Sequence, residues 1–310
     1  MSNSSQLTSP TLQDSSPVAG LRLSPSALEL FHACPRLFYL GRVAGLSGQP
    51  EVEDRTFHLD YGKAMEAGIV NYLQTGQLEQ AVLAAWLAYN DHEARNKTLE
   101  SLVAGLEVFA RQWPYAEWQL QQSQIGFKLE FDPESTALGI YYCGYIDASL
   151  LNQFTGRVAT LECKTTGYAI QQVEALYQNT EQAIAYPTIM DYLGRELGHP
   201  ASDCLYVIVN VARSWIPTIE FKTFAKSKAE RLEWLLSLKI DVEDLKRNYK
   251  NQFWPMRGKN CIQYNRPCQM FGICHLNSLQ QEQPAQGKVR KDDFEHVIQF
   301  EKLYNWLSQS

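Results

Sequence analysis

The chain has no apolar run near the roughly 20 residues that a membrane-spanning helix needs, which excludes a simple transmembrane protein. Its first twenty residues are rich in Ser, Thr and Pro. They lack the basic start and apolar core of a secretory leader. Residues 1–20 are therefore expected to form a disordered tail, and the protein to be cytoplasmic. Positive charge is not in excess: 28 Lys and Arg face 34 Asp and Glu, for a net charge of −6. That balance excludes a protein that coats itself in polyanion over its whole surface. It leaves room for a local basic groove, with salt-sensitive binding away from it. No flavin, nucleotide or second-cluster motif is present. The seven cysteines are an odd number without a secretion leader, so thiols or metal ligation are expected rather than disulfides. With 310 residues and 45% hydrophobic residues, the chain can build one large domain, or a core domain with a helical insertion.

The stretch from Gly144 to Tyr186 carries the chemistry. Ile140 to Leu151 and Arg157 to Lys164 read as strands, and Asn152 to Gly156 supplies the turn, so a β-hairpin is expected. Positions two apart on a strand share a face. Glu162 and Lys164 thus project together, and Asp147 on the paired strand can meet them. Two carboxylates offer hard oxygen ligands suited to Mg²⁺ or Mn²⁺. Such an ion polarises a phosphoryl oxygen and acidifies water, and a nearby ammonium can orient that water. The bland alternative is a strand-end Asp beside an exposed Glu–Lys pair. Gln172 to Leu193 reads as a helix that sets Gln182 and Tyr186, four apart, on one face. They either serve the water and the substrate, or are a solvent-facing amide and a core phenol.

Around this stretch the pattern is mixed. Ser26-x-x-Glu29 has the form of a capping box before an apolar run, and Cys34-Pro35-Arg36 interrupts that run. Cys34 is either a small buried residue or a metal ligand. Helices are expected over His58 to Gln77, Glu79 to His92, Thr98 to Trp113, Lys226 to Tyr249 and Asp292 to Trp306. Strands are expected over Glu117 to Phe131, Cys204 to Val211 and Pro217 to Phe224. The basic residues Lys226, Lys228, Arg231, Lys239, Lys246 and Arg247 alternate with acids, as on a solvated helix face. Cys143 and Cys163 read as packing residues. Asn251 to His275 is irregular and holds Cys261, Cys268 and Cys274 within fourteen residues, a density typical of metal binding. Four thiolates would accept an iron–sulfur cluster or zinc, with Cys34 or His275 as the fourth ligand.

Taken in order, these motifs resemble a PD-(D/E)XK nuclease of the RecB-like branch, close to CRISPR-associated and phage iron–sulfur exonucleases. The resemblance covers about residues 20 to 280. It rests on Cys34-Pro35-x-x-Phe38, Gly62-x-x-x-Glu66, Asp147, Glu162-x-Lys164, Gln182-x-x-x-Tyr186, and the run from Cys261 to Cys274. It implies an α/β fold: a restriction-endonuclease-like core, with a mixed central sheet of about five strands flanked by helices. A helical insertion at about 75–115, a cysteine loop at 251–275 and an iron–sulfur staple joining the N- and C-terminal regions would complete a domain over 21–275. Beyond the resemblance, residues 276–310 read as a linker and a terminal amphipathic helix that either packs on the core or binds a protein partner. The implied activity is metal-dependent DNA hydrolysis, as an exonuclease on ends or single strands in recombination, repair or defence. Asp147 and Glu162 would bind the ion, Lys164 would position water, and Gln182 and Tyr186 would support it. The backbone carbonyl of Cys163 would join the metal shell. Cys34, Cys261, Cys268 and Cys274 would hold a [4Fe–4S] cluster. Relatives carry His where this chain has Glu66; Glu66 is expected as a further Mg²⁺ or Mn²⁺ ligand, or as an exposed helix residue. Two rivals are a catalytically silent nuclease fold that binds DNA or scaffolds a complex, and an iron–sulfur redox or regulatory protein.

Overall fold

Two stretches rich in buried residues, Tyr141–Asn152 and Val158–Thr166, lie side by side as antiparallel strands. The turn between them is set by its own side chains. Asn152 Oδ1 accepts the N–H groups of Phe154 and Thr155, and Gly156 takes a left-handed φ of +67° that glycine adopts without cost. The computed structural model describes residues 21–46, 53–89, 97–197, 201–211, 216–263, 266–274 and 294–309.

The strands are β1 (Trp118–Glu130), β2 (Tyr141–Asn152), β3 (Val158–Thr166), β4 (Ala201–Asn210), β5 (Thr218–Ala225), the two-residue β6 (Ile262–Gln263) and β7 (Arg266–Pro267), and β8 (His296–Gln299). Six of them form a mixed sheet in the order β5-β4-β3-β2-β1-β8. The β3–β4 and β1–β8 pairs are parallel and the others antiparallel. The helices are α1 (Pro25–Ala33), α2 (Pro35–Phe38) with a π-helical turn at Tyr39–Val43, α3 (Glu53–Thr75), α4 (Leu78–Ala88), α5 (Leu99–Gln112), α6 (Pro133–Ala137), α7 (Ile170–Gln178), α8 (Glu181–Leu197), α9 (Lys228–Lys250) and α10 (Phe300–Gln309).

Helices cover both faces of the sheet, and each face has its own core. One core joins α3 to α5 with β3 and β4 through Met65, Ile69, Leu102, Leu106, Leu161 and Val207. The other joins α1, α8, α9 and α10 with β1 and the first half of β2 through Phe31, Phe127, Tyr142, Ile189, Leu238 and Leu303. No helix among the described residues is long and apolar enough to cross a membrane.

Three expectations need correction. The sheet has six strands, because the terminal segment is not one helix: Val297 and its neighbours pair in parallel with β1 before α10 begins. Of the two roles expected for the terminal helix, α10 takes packing on the core, where Phe300, Leu303 and Leu307 are buried. The helix expected over Gln172 to Leu193 is two helices, because Thr180 Oγ1 accepts the Ala183 N–H and restarts the chain as α8. The cap of α1 is Ser24 rather than Ser26: Ser24 Oγ accepts the Ala27 N–H at 3.3 Å, and Pro25 fits the first helical turn. Residues 1–20 and most of the expected linker lie outside the described residues.

Candidate active site

The site sits where the sheet changes partners. Pairing of β2 with β3 runs from Leu151↔Val158 to Ala148↔Leu161. At the next position Asp147 faces Glu162, and the ladder gives way to a side-chain bond: Asp147 Oδ2 accepts the Cys163 N–H at 3.0 Å. Beyond this point β2 also changes core. Ala148 and Leu150 pack with the α3–α5 layer, whereas Tyr142 and Ile146 pack with the α8–α9 layer. The β2–β3 ladder ends at Asp147.

Glu162 is only 2% exposed. Its Oε1 accepts from Lys164 Nζ at 2.5 Å and from Gln182 Nε2 at 2.7 Å, and Lys164 Nζ also donates to Gln182 Oε1 at 2.6 Å. Gln182 Nε2 lies 3.3 Å from the Tyr186 oxygen, within the turn of α8 that faces β3. A closed triangle of carboxylate, ammonium and amide results, backed by a buried phenol. Gly144 lets α8 come this close: a Cβ there would lie 3.2 Å from Tyr186 and 3.0 Å from Phe127.

Glu66 reaches the same place from α3, and its Oε1 accepts a hydrogen bond from Gln124 Nε2. Gln124 has a φ of +54°, the left-handed region that non-glycine residues seldom occupy. It stands on β1 between the pairs Ser123↔Ala148 and Ile125↔Ile146, hence opposite Asp147. Nothing in the sequence singles out Gln124. It lacks the Gly or Asn signature of a left-handed position, and its role depends on the register of two strands. Strain of this kind gathers at functional sites.

The electrostatics are those of crowded acids. Burial, then the charges of Glu162 and Glu66, push the Asp147 carboxyl well above its usual range. Burial raises Glu162, with the Lys164 ammonium opposing it. Burial and the Glu162 charge lift Glu66 to about 7. Burial works to lower the Lys164 ammonium, but the Glu162 carboxylate outweighs it and holds Lys164 above its ordinary value. Glu162 Oε2 is buried without any hydrogen-bond partner. A buried carboxylate oxygen left bare is costly, and it is the donor type that Mg²⁺ and Mn²⁺ accept. The donor set therefore fits such an ion. As the side chains stand, no three His, Cys, Asp or Glu groups among the described residues are arranged to hold a metal ion. Asp147 and Glu66 are each turned to a partner inside the chain.

The sequence model of the PD-(D/E)XK nuclease superfamily matches residues 22–275. The chain belongs to the PD-(D/E)XK nuclease superfamily. Members are hydrolases of phosphodiester bonds that typically use Mg²⁺ or Mn²⁺, and the helix-flanked mixed sheet agrees with their restriction-endonuclease-like core. Among solved structures, the chain is similar to one from Eubacterium rectale described as "Putative exonuclease", with 12% identity and a TM-score of 0.44. The likeness covers 83% of this chain and 94% of that one. No curated protein matches the chain.

This superfamily member also gathers its outlying cysteines. Cys34, Cys261, Cys268 and Cys274 line one cavity, together with Arg36 and Arg257. The segments 33–39 and 254–274 meet there. Arg36 Nη2 donates to the Cys274 carbonyl at 3.4 Å, Asn260 Nδ2 donates to the Ala33 carbonyl, and Tyr39 stacks on Trp254 with ring centres 5.1 Å apart. Burial, then the Cys261 and Cys268 thiols, raise the Cys274 thiol. Arg36 Nε is buried and has no partner. His275 lies outside the described residues. Cys143 and Cys204 are buried in the sheet, apart from this cavity. The six basic residues singled out from Lys226 to Arg247 are all engaged. Lys226, Arg231, Lys239, Lys246 and Arg247 pair with carboxylates, and Lys228 donates to the Ser308 carbonyl.

Proposed function

We propose that this nuclease is a RecB-like, metal-dependent exonuclease that removes nucleotides from DNA ends or single strands in recombination, repair or defence. The observation that carries the metal-dependent reading is the bare, buried Glu162 Oε2, flanked by two further carboxyls of raised pKa. Three acids against one lysine leave a deficit of positive charge that a divalent cation would fill. Asp147, Glu162 and Glu66, with the Cys163 carbonyl, are the oxygens that would hold it. A Mg²⁺ or Mn²⁺ ion there supplies Lewis acidity to a phosphate oxygen and acidity to water.

The chain's own groups do the rest. Lys164 Nζ, fixed between Glu162 and Gln182, orients the attacking water and offsets the negative charge that develops on the phosphoryl oxygens. The water oxygen bonds to phosphorus as the ester bond breaks; the attacking water gives up one proton to solvent, and the departing oxygen takes one from solvent. Gln182 holds Lys164 and Glu162 in register, and the Tyr186 hydroxyl fixes Gln182.

The four cysteines that line one cavity are the proposed ligands of a [4Fe–4S] cluster that staples α1 and α2 to residues 251–274. Four thiols brought together from segments more than two hundred residues apart support that reading, as does the unpartnered Arg36 Nε–H beside them. Such a long-range closure restricts the unfolded chain. Iron and acid-labile sulfide in protein purified without oxygen, and their loss in Cys34→Ala, test it; zinc alone would replace the assignment.

The decisive assay is cleavage of end-labelled single- and double-stranded DNA with Mg²⁺, Mn²⁺ or EDTA, beside Lys164→Ala. Metal-dependent cutting that falls by at least about 100-fold in the variant is expected. One observation favours a catalytically silent fold instead: Asp147 and Glu66 already have partners inside the chain. No cutting by the folded parent with either metal would establish that second reading.

A further inference from the structure

Tyr145 precedes Asp147 by two residues on β2, with the fully buried Ile146 between them. Their Cα atoms are about 7 Å apart along the strand. Tyr145 belongs to none of the cores and is 42% exposed.

Its ring is nonetheless held. Gly126 pairs with Tyr145 across β1, and a Cβ at Gly126 would come within 2.9 Å of Tyr145 Cε1. The bare backbone of Gly126 thus makes a floor on which the ring lies. Phe294 flanks it, with ring centres 5.8 Å apart, and also meets Tyr141 edge-on at 6.0 Å. Lys128 Nζ stands 4.7 Å from the centre of the Tyr141 ring. An aromatic row, with the Lys128–Glu130 ion pair at its far end, lies along one face of the β1–β2 ribbon and ends two residues before Asp147. Core packing does not require this row.

We propose that Tyr145, floored by Gly126 and flanked by Phe294, is a stacking platform for an unpaired nucleobase of single-stranded DNA beside the carboxylate site. The proposal rests on the nuclease reading and adds the group that selects the strand. A base in a single strand can leave its neighbours and lay its face on an aromatic ring. A base within a duplex is covered above and below, so the same ring gains nothing from it.

The test is binding without turnover, in EDTA, to three fluorescein-labelled probes: oligo-dT, an abasic oligomer of the same length, and a blunt duplex. Tyr145→Ala should weaken oligo-dT binding about 10- to 100-fold, and Tyr145→Phe by less than about 3-fold. Affinity for the duplex and the abasic strand should not move by more than about 3-fold. A thermal melt checks that both variants stay folded, as exposure of Tyr145 predicts. Equal affinity of Tyr145→Ala and the parent for oligo-dT would overturn the platform, as would equal losses on all three probes. A parent that neither binds nor cuts any DNA would overturn the nuclease reading itself, which is a different result.

Discussion

Glu66→Gln should make the metal-free protein more stable, not less. The glutamine amide has the same size, and its oxygen can still accept the Gln124 hydrogen bond, so the substitution removes little except charge. Burial and the Glu162 carboxylate raise the Glu66 pKa from 4.5 to about 7. At about 1.4 kcal/mol for each pH unit, that rise corresponds to about 3 kcal/mol against the folded state once the group is ionised. Asp147 and Glu162 readjust when one neighbour is neutralised, so the expected gain is about 1–3 kcal/mol. Its sign follows from proton binding. The folded chain keeps the Glu66 proton to higher pH than the unfolded chain does, so stability is fully present below pH 4.5 and falls as pH rises through about 7. Urea unfolding in EDTA at about pH 4.5 and about pH 8 should show the two proteins alike at the lower pH, with the variant ahead at the higher. Saturating Mg²⁺ should then stabilise the parent more than the variant, because the ion binds only the folded site. The reasoning fails if the variant is no more stable at the higher pH, or if its advantage is the same at both.

Three further outcomes follow from particular residues. Gln124→Gly should be more stable than Gln124→Ala by about 1 kcal/mol, because only glycine accepts the left-handed φ of +54°; the ordinary strand order, with Ala ahead, would refute the strain. Gly144→Ala should cost about 1–3 kcal/mol and reduce cleavage, since its methyl would press on Phe127 and Tyr186, and parental stability in a denaturant titration would show that α8 has slack there. Phe300→Ala should cost about 3–5 kcal/mol in the isolated chain, because the ring is 2% exposed in its own core; a melt unchanged from the parent would mean that α10 serves some other surface.

What could be read from the sequence was what local pattern encodes. Asp147, Glu162 and Lys164 were legible because strand alternation and the turn at Asn152–Gly156 fix which side chains share a face. Gln182 and Tyr186 followed from helical spacing, although the restart at Thr180 was hidden: one hydroxyl decides it. Gln124 was illegible because its backbone is forced into place by pairing with a strand that arrives later in the chain. The four residues of β8 were misread because so short a segment has no period of its own, and its partner lies far back in the sequence. Ser24 lost to Ser26 on paper because the choice between neighbouring hydroxyls is settled by where Pro25 can sit.

The placement of β8 has a consequence for self-association. A chain cut before Phe294 would leave the outer edge of β1 with unpaired N–H and C=O groups along Phe127 to Glu130, a template for another molecule's strand. The intact chain carries the matching piece, β8 with α10, and every neighbouring molecule carries an identical acceptor. Two chains that trade this piece would keep every native contact, so a domain-swapped dimer is the expected product of slow refolding at high concentration.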